Sequence, residues 1–191
     1  MTGVGIDFGT SNSAAAWFDG ENVRMVQLEA LDEIMPTATH LDRDLAVKTG
    51  NAAVLQYIEE NRNRVVELTS EVIAKTAVVT GGGGEDGTPY ETASFDVYGQ
   101  AMTDRGLPGR LFRGVKRLLG DERVKRLMVF DHPFRLVALI TPVLVHIRQK
   151  IDAVVSDRQA VHFGHPVNFE GKSQHANDLA PDRLREASSH A

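Results

Sequence analysis

The stretch from Gly3 to Gly20, GVGIDFGTSNSAAAWFDG, constrains this chain more than any other. Read with a period of two, Val4, Ile6 and Phe8 fall on one face of a strand, and Gly3, Gly5 and Asp7 on the other. The second face carries almost no side chain except one carboxylate near the strand's end. Gly9 predicts a sharp turn with positive φ. Thr10, Ser11 and Asn12 follow with backbone N–H groups and small polar side chains. Ser13 to Asp19 returns as a second strand, Asp19-Gly20 is a hairpin-turn signal, and Val23 to Leu28 alternates as a third strand. Two readings fit the tip. One is an ordinary polar hairpin turn. In the other, the Gly/Thr/Ser amides and hydroxyls hold phosphate oxygens, and the glycines beside Asp7 leave room for a hydrated Mg²⁺.

The chain has 191 residues, 42% of them hydrophobic and 25% charged, enough for one domain with a real core. The net charge of −5 argues against nonspecific nucleic-acid binding. Cysteine is absent, which excludes disulfides, thiolate catalysis and cysteine-ligated zinc. Met1-Thr2-Gly3 does not open a signal peptide. The longest apolar stretch, Leu136 to Ile147, is too short and too closely flanked by Arg135, Arg148 and Lys150 to span a membrane. A cytoplasmic protein with neither nucleic-acid nor membrane partners is the expectation.

Further along, Pro36 to Leu41 and Ala46 to Lys48 read as short strands. Asn51 to Thr76 shows helical spacing through Ala53, Leu55, Ile58, Val65, Leu68, Val72 and Ile73, as one helix or as two broken near Asn61 to Asn63. The glycine run from Thr80 to Thr88 reads as a flexible surface loop, and Tyr90 to Val97 as the strand after it. Gly106 to Gly120, GLPGRLFRGVKRLLG, reads as a short helix packed through Leu111, Phe112, Val115, Leu118 and Leu119. Met128 to Leu139 is strand-like with an interruption at Asp131-His132-Pro133. Thr141 as N-cap and Pro142 as first helical residue then predict a helix to about Val155. Gln159 to Phe163 is a strand, and Asp178 to Ala191 an amphipathic fragment. Pro166 to Ser173 nearly matches a phosphate-binding P-loop, but proline stands where glycine is needed. His162 and His165 lack metal-site spacing and companions.

GIDFGTSNSAAAWFDG resembles the first phosphate loop of the actin-like ATPase superfamily, and most closely that of the heat-shock protein 70 (DnaK) family. FRGVKRLLG resembles that family's F-x-x-[IV]-K-R-L-[IL]-G segment, LVHIRQKIDAVV a helix of its YegD-like bacterial branch, and GHPVNFEG the branch's G-[RH]-P-[IV]-N-F-[QE]-G segment. The stretch from Leu41 to Arg105 matches only in length and character. The resemblance implies an α/β fold with a mixed sheet, a ribonuclease-H-like, actin-like ATPase lobe. Residues 1–40 and 107–171 would form the core lobe, and 41–106 an inserted helical subdomain. Residues 172–191 would be the poorly ordered start of a second-lobe helix, truncated before that lobe. It further implies an ATP-binding, DnaK-like chaperone fragment using ATP or ADP and Mg²⁺. Asp7 would hold the metal through water, and Gly9, Thr10, Ser11 and Asn12 would grip phosphates. Lys116 would be the catalytic lysine, and Pro166 an interlobe switch. Clients and co-chaperones would be partners of a longer form, and this chain alone would turn over little ATP. A small-molecule kinase half of the same superfamily and a non-catalytic interaction module are the alternatives.

Overall fold

The computed structural model describes residues 3–66, 68–80, 91–104, 106–156, 160–164 and 176–191. In chain order the strands β1 Gly3–Phe8, β2 Asn12–Phe18, β3 Val23–Met25, β4 Ile34–Pro36, β5 Ala38–Asp42 and β6 Val47–Thr49 lead into α1 Gly50–Asn61. The strands β7 Leu68–Thr80, β8 Glu91–Asp104 and β9 Gly109–Arg113 follow. A 3-10 turn at Val115–Leu118 precedes β10 Arg126–Val129 and β11 His132–Arg135. The helix α2 Leu136–Asp152, the strand β12 Ala160–Gly164 and the helix α3 Ala176–His190 complete the fold. It is a mixed α/β protein with three α-helices among the described residues. Two compact units are present, Met1–Arg62 with Pro108–Ala191, and Asn63–Leu107. Residues 41–62 therefore belong to the first unit.

The first unit is built on a five-stranded mixed sheet in the order β12-β1-β2-β3, with β4 also paired to β2. β1 lies between a parallel neighbour, β12, and an antiparallel one, β2, in the register Phe8↔Ser13 to Gly3↔Phe18. The alternation read from the sequence decides which face is buried. Val4, Ile6, Phe8 and Ala15 join one core cluster with Leu139, Ile140, Val143, Leu144 and Ile147 of α2. Burying a side chain such as Phe8 completely contributes about 1.5–3 kcal/mol. On the other face Gly5 and Asp7 stay exposed. Ala180, Leu184 and Ala187 of α3 enter the same core cluster, and Arg135 forms a bidentate pair with Glu186 at 2.6 and 2.9 Å. A three-stranded sheet, β6-β5-β9, lies in the same unit.

The second unit is one antiparallel pair, β7 with β8, in the register Thr80↔Glu91 to Leu68↔Asp104. Arg64 and Asp104 form an ion pair at its base. The helical reading through Thr76 is corrected here. The helix stops at Asn61, Arg62 is extended and Asn63 takes φ 60°. Thr69, Val72, Ile73, Thr76, Val78, Val79 and Thr80 are β-branched and favour the strand once a partner is present. That partner, β8, runs well past the expected Val97.

Two other expectations change. Gly106 to Gly120 is not one helix, because Gly109–Arg113 pairs with β5 as β9 and Gly114, at φ 69°, separates it from the 3-10 turn. Met128 to Leu139 is strand-like only as far as Arg135, and its expected interruption falls earlier, at Phe130 and Asp131. Phe130 and Asp131 both take positive φ and make a two-residue hairpin turn between β10 and β11. α2 then starts at Leu136, so Pro142 sits inside the helix rather than at its first position, and the helix ends at Asp152, short of Val155. The Thr141 hydroxyl donates to the Val137 carbonyl at 2.8 Å beside that proline. The glycine run in 81–90, the near P-loop at 166–173, His165 and Pro166 lie outside the described residues. No helix among the described residues is long and apolar enough to cross a membrane.

Candidate functional site

The turn between β1 and β2 closes tightly, though not as its glycine suggested. Gly9 is not in the left-handed region. Glycine is required there because a Cβ would stand 2.1 Å from the Asn12 carbonyl oxygen. From the link between β4 and β5, the Thr37 amide donates to the Ser11 carbonyl at 2.9 Å. The Thr37 and Ser13 hydroxyls share a buried hydrogen bond of 2.7 Å. Thr37 thus braces the turn where it enters β2, on either side of Asn12, and Ser11 and Asn12 remain exposed at its tip.

Lys116 comes to this turn from 108 residues away. Its Nζ donates to the carbonyl of Phe8, the last residue of β1, and lies 5.9 Å from the centroid of the Phe8 ring. The side chain is buried, at 8% exposure. Burial pushes the Lys116 ammonium below the ordinary lysine range, and the Asp7 carboxylate opposes that shift. The backbone carrying Lys116 runs past Thr10 on one flank and is bonded by Arg183 on the other. Gly114 approaches Thr10 closely enough that a Cβ there would meet Thr10 Cγ2 at 3.9 Å. Beyond Leu118, Arg183 of α3 donates through Nη1 to the carbonyls of Leu119 at 2.9 Å, and of Leu118 and Asp121 at 3.2 Å each. Its Nη2 donates to the Val124 carbonyl at 3.1 Å.

Asp7 lies on the open face of the sheet. A Cβ placed on Gly3 or Gly5 would meet nothing within 4 Å. Asp7, Gly5, Ala14, Ala16, His162 and Gly164 are among the residues lining a shallow cavity of about 510 Å³. This space and a single carboxylate fit a hydrated divalent cation that takes its remaining ligands from water and phosphate oxygens. No cluster of three or more metal-ligating side chains is present among the described residues. A second cavity, about 820 Å³, lies elsewhere, along α2 and the end of α3.

The fold therefore brings together Asp7, Gly9, Thr10, Ser11, Asn12 and Lys116, while Pro166 lies outside the described residues. Thr37 and Arg183 were not legible as site residues. Thr37 looked like any strand threonine, and Arg183 like any charged residue on an amphipathic helix. No protein-family model and no curated protein matches this sequence.

Proposed function

We propose that the first unit is a ribonuclease-H-like, actin-like ATPase lobe of the DnaK type, YegD-like branch, and that its hairpin binds the phosphates of Mg-ATP. The observation that carries this reading is the placement of a buried lysine against the end of the strand that bears Asp7 and leads into a tight Gly-Thr-Ser-Asn turn. The exposed amides and hydroxyls of the tip grip phosphate oxygens. Asp7 would hold a Mg²⁺ through its waters, and the metal would supply neutralisation of phosphate charge. The Lys116 ammonium, poorly hydrated and fixed, faces the negative charge that develops on a transferring phosphoryl group. The ancestral role would be ATP hydrolysis coupled to protein folding, with unfolded clients or co-chaperones as partners.

These groups address phosphate and metal. Affinity of the 191-residue chain for Mg-ATP is therefore expected to be roughly millimolar, about −4 kcal/mol, with negligible turnover. An amide-detected NMR titration with Mg-ATP tests the reading. The amides of Gly9 to Asn12 and of Lys116 should shift, and Asp7→Asn and Lys116→Ala should each reduce the response. Shifts confined to other residues would refute the site. Micromolar affinity by calorimetry would refute the expectation of weak binding.

A further inference from the structure

The 3-10 turn that carries Lys116 ends without regular helix after it. Carbonyls at such an end have no intrahelical donor and need one from elsewhere. The Leu118 and Asp121 carbonyls accept from the Asp121 and Val124 amides at 3.1 and 3.2 Å, and one guanidinium adds a side-chain donor to these two and to two further carbonyls. Arg183 reaches from α3 to four carbonyls, those of Leu118, Leu119, Asp121 and Val124, at 2.9 to 3.2 Å. The tie continues to the lysine through the backbone, because the Leu119 amide donates to the Lys116 carbonyl at 3.2 Å. On the other flank the Arg117 amide donates to the Gly114 carbonyl at 3.0 Å, where the chain turns against Thr10. The end of the Lys116 segment is thus tied to α3, while the lysine's own ammonium is bonded to the end of β1.

Arg183 itself is partly desolvated, which pushes its guanidinium below the usual arginine range. A planar fork can reach four carbonyls at once, with at least one Nη1 hydrogen shared between two of them, and an ammonium cannot reproduce that geometry. α3 is in turn fixed to the core through Ala180, Leu184 and Ala187, so the guanidinium is presented from a rigid element.

From these contacts we infer that Arg183 is a positioning residue, one that sets the register of the 3-10 turn and so holds the Lys116 ammonium against the end of β1. The importance of this for phosphate binding rests on the function proposed above, whereas the positioning itself is readable without any nucleotide.

The experiment compares the full chain with Arg183→Gln and Arg183→Lys. Each lysine is labelled with limiting acetic anhydride, and its rate is read by peptide mass spectrometry. In the unmodified protein Lys116 should react slowly, since its amine is buried and bonded. In Arg183→Gln its rate should rise at least tenfold, while the exposed Lys48 and Lys125 change by less than twofold. Arg183→Lys should fall between. A folded Arg183→Gln with an unchanged Lys116 rate overturns the inference, as does an equal rise at all lysines, which would mean general loosening. Failure of both variants to fold also overturns it, because Arg183 would then serve stability at large. A Mg-ATP titration separates the two proposals. If the unmodified chain binds no nucleotide but Lys116 is freed in Arg183→Gln, the positioning role stands and the nucleotide reading falls.

Discussion

Gly9→Ala tests the turn most directly. The added Cβ would stand 2.1 Å from the Asn12 carbonyl oxygen, whereas real Cβ contacts stay beyond 3.0 Å, so one of the two must move by about 0.9 Å. The obstacle is backbone and cannot rotate away. Asn12 is also the first residue of β2 and is paired with Pro36 of β4, while the neighbouring Ser11 carbonyl accepts from Thr37. A shift of that size therefore propagates into two strand contacts. Overpacking of this kind costs about 1–3 kcal/mol. A middle value near 2 kcal/mol corresponds to roughly 4–8 °C in Tm for a chain of this length. Trp17, the only tryptophan, lies on β2, so urea unfolding followed by its fluorescence reports on this unit. Gly5→Ala is the control, because its Cβ would meet nothing within 4 Å, and its cost should stay within about 0.5 kcal/mol. Equal stability of the two variants would refute the tight closure of the turn.

The brace behind the turn makes a second prediction. Ser13→Ala leaves the buried Thr37 hydroxyl without its partner and should cost about 1–3 kcal/mol. Adding Thr37→Val should recover part of that loss in a double-mutant cycle read by the same fluorescence. Lys116 supplies a pH dependence. Its folded pKa is lowered by burial, so between that value and the ordinary lysine range the unfolded chain binds more protons. Stability attributable to Lys116 therefore rises as pH increases through that window, and its penalty is complete below it. Lys116→Met should flatten this rise, which denaturation midpoints of the two proteins, followed as pH is raised toward the ordinary lysine range, would reveal. A slope unchanged by the substitution would contradict the burial of the charge.

Much of the first unit was legible because its signals are local. Alternation in VGIDF assigned the buried and open faces of β1, and Asp19-Gly20 placed the hairpin to β3. The apolar run beginning at Leu136 was recognisable as core, but periodicity alone could not separate strand from helix there. Asp131 marked an interruption there, but the turn also uses Phe130, a residue that rarely takes positive φ, so composition misplaced it by a residue. The Asn51 to Thr76 reading failed at its second half for the reverse reason. Val65, Leu68, Val72 and Ile73 imitate helical spacing, yet β-branched residues and a long-range partner strand decided the outcome.

The sequence by itself determined the polar tip, the glycine-cleared face beside Asp7, and the apolar stripe of α2, since each follows from residue type and spacing within a few positions. Only the tertiary structure decided that Lys116 meets the end of β1, that Thr37 braces the turn, and that Arg183 caps the lysine's segment. Those contacts join residues distant along the chain. Their existence depends on the registers of β1 with β2 and of β5 with β9, and on the packing of α3 into the core. The reason Gly9 must be glycine changed in the same way, from a torsion expected of the residue type to a backbone oxygen that only the closed turn puts in its place.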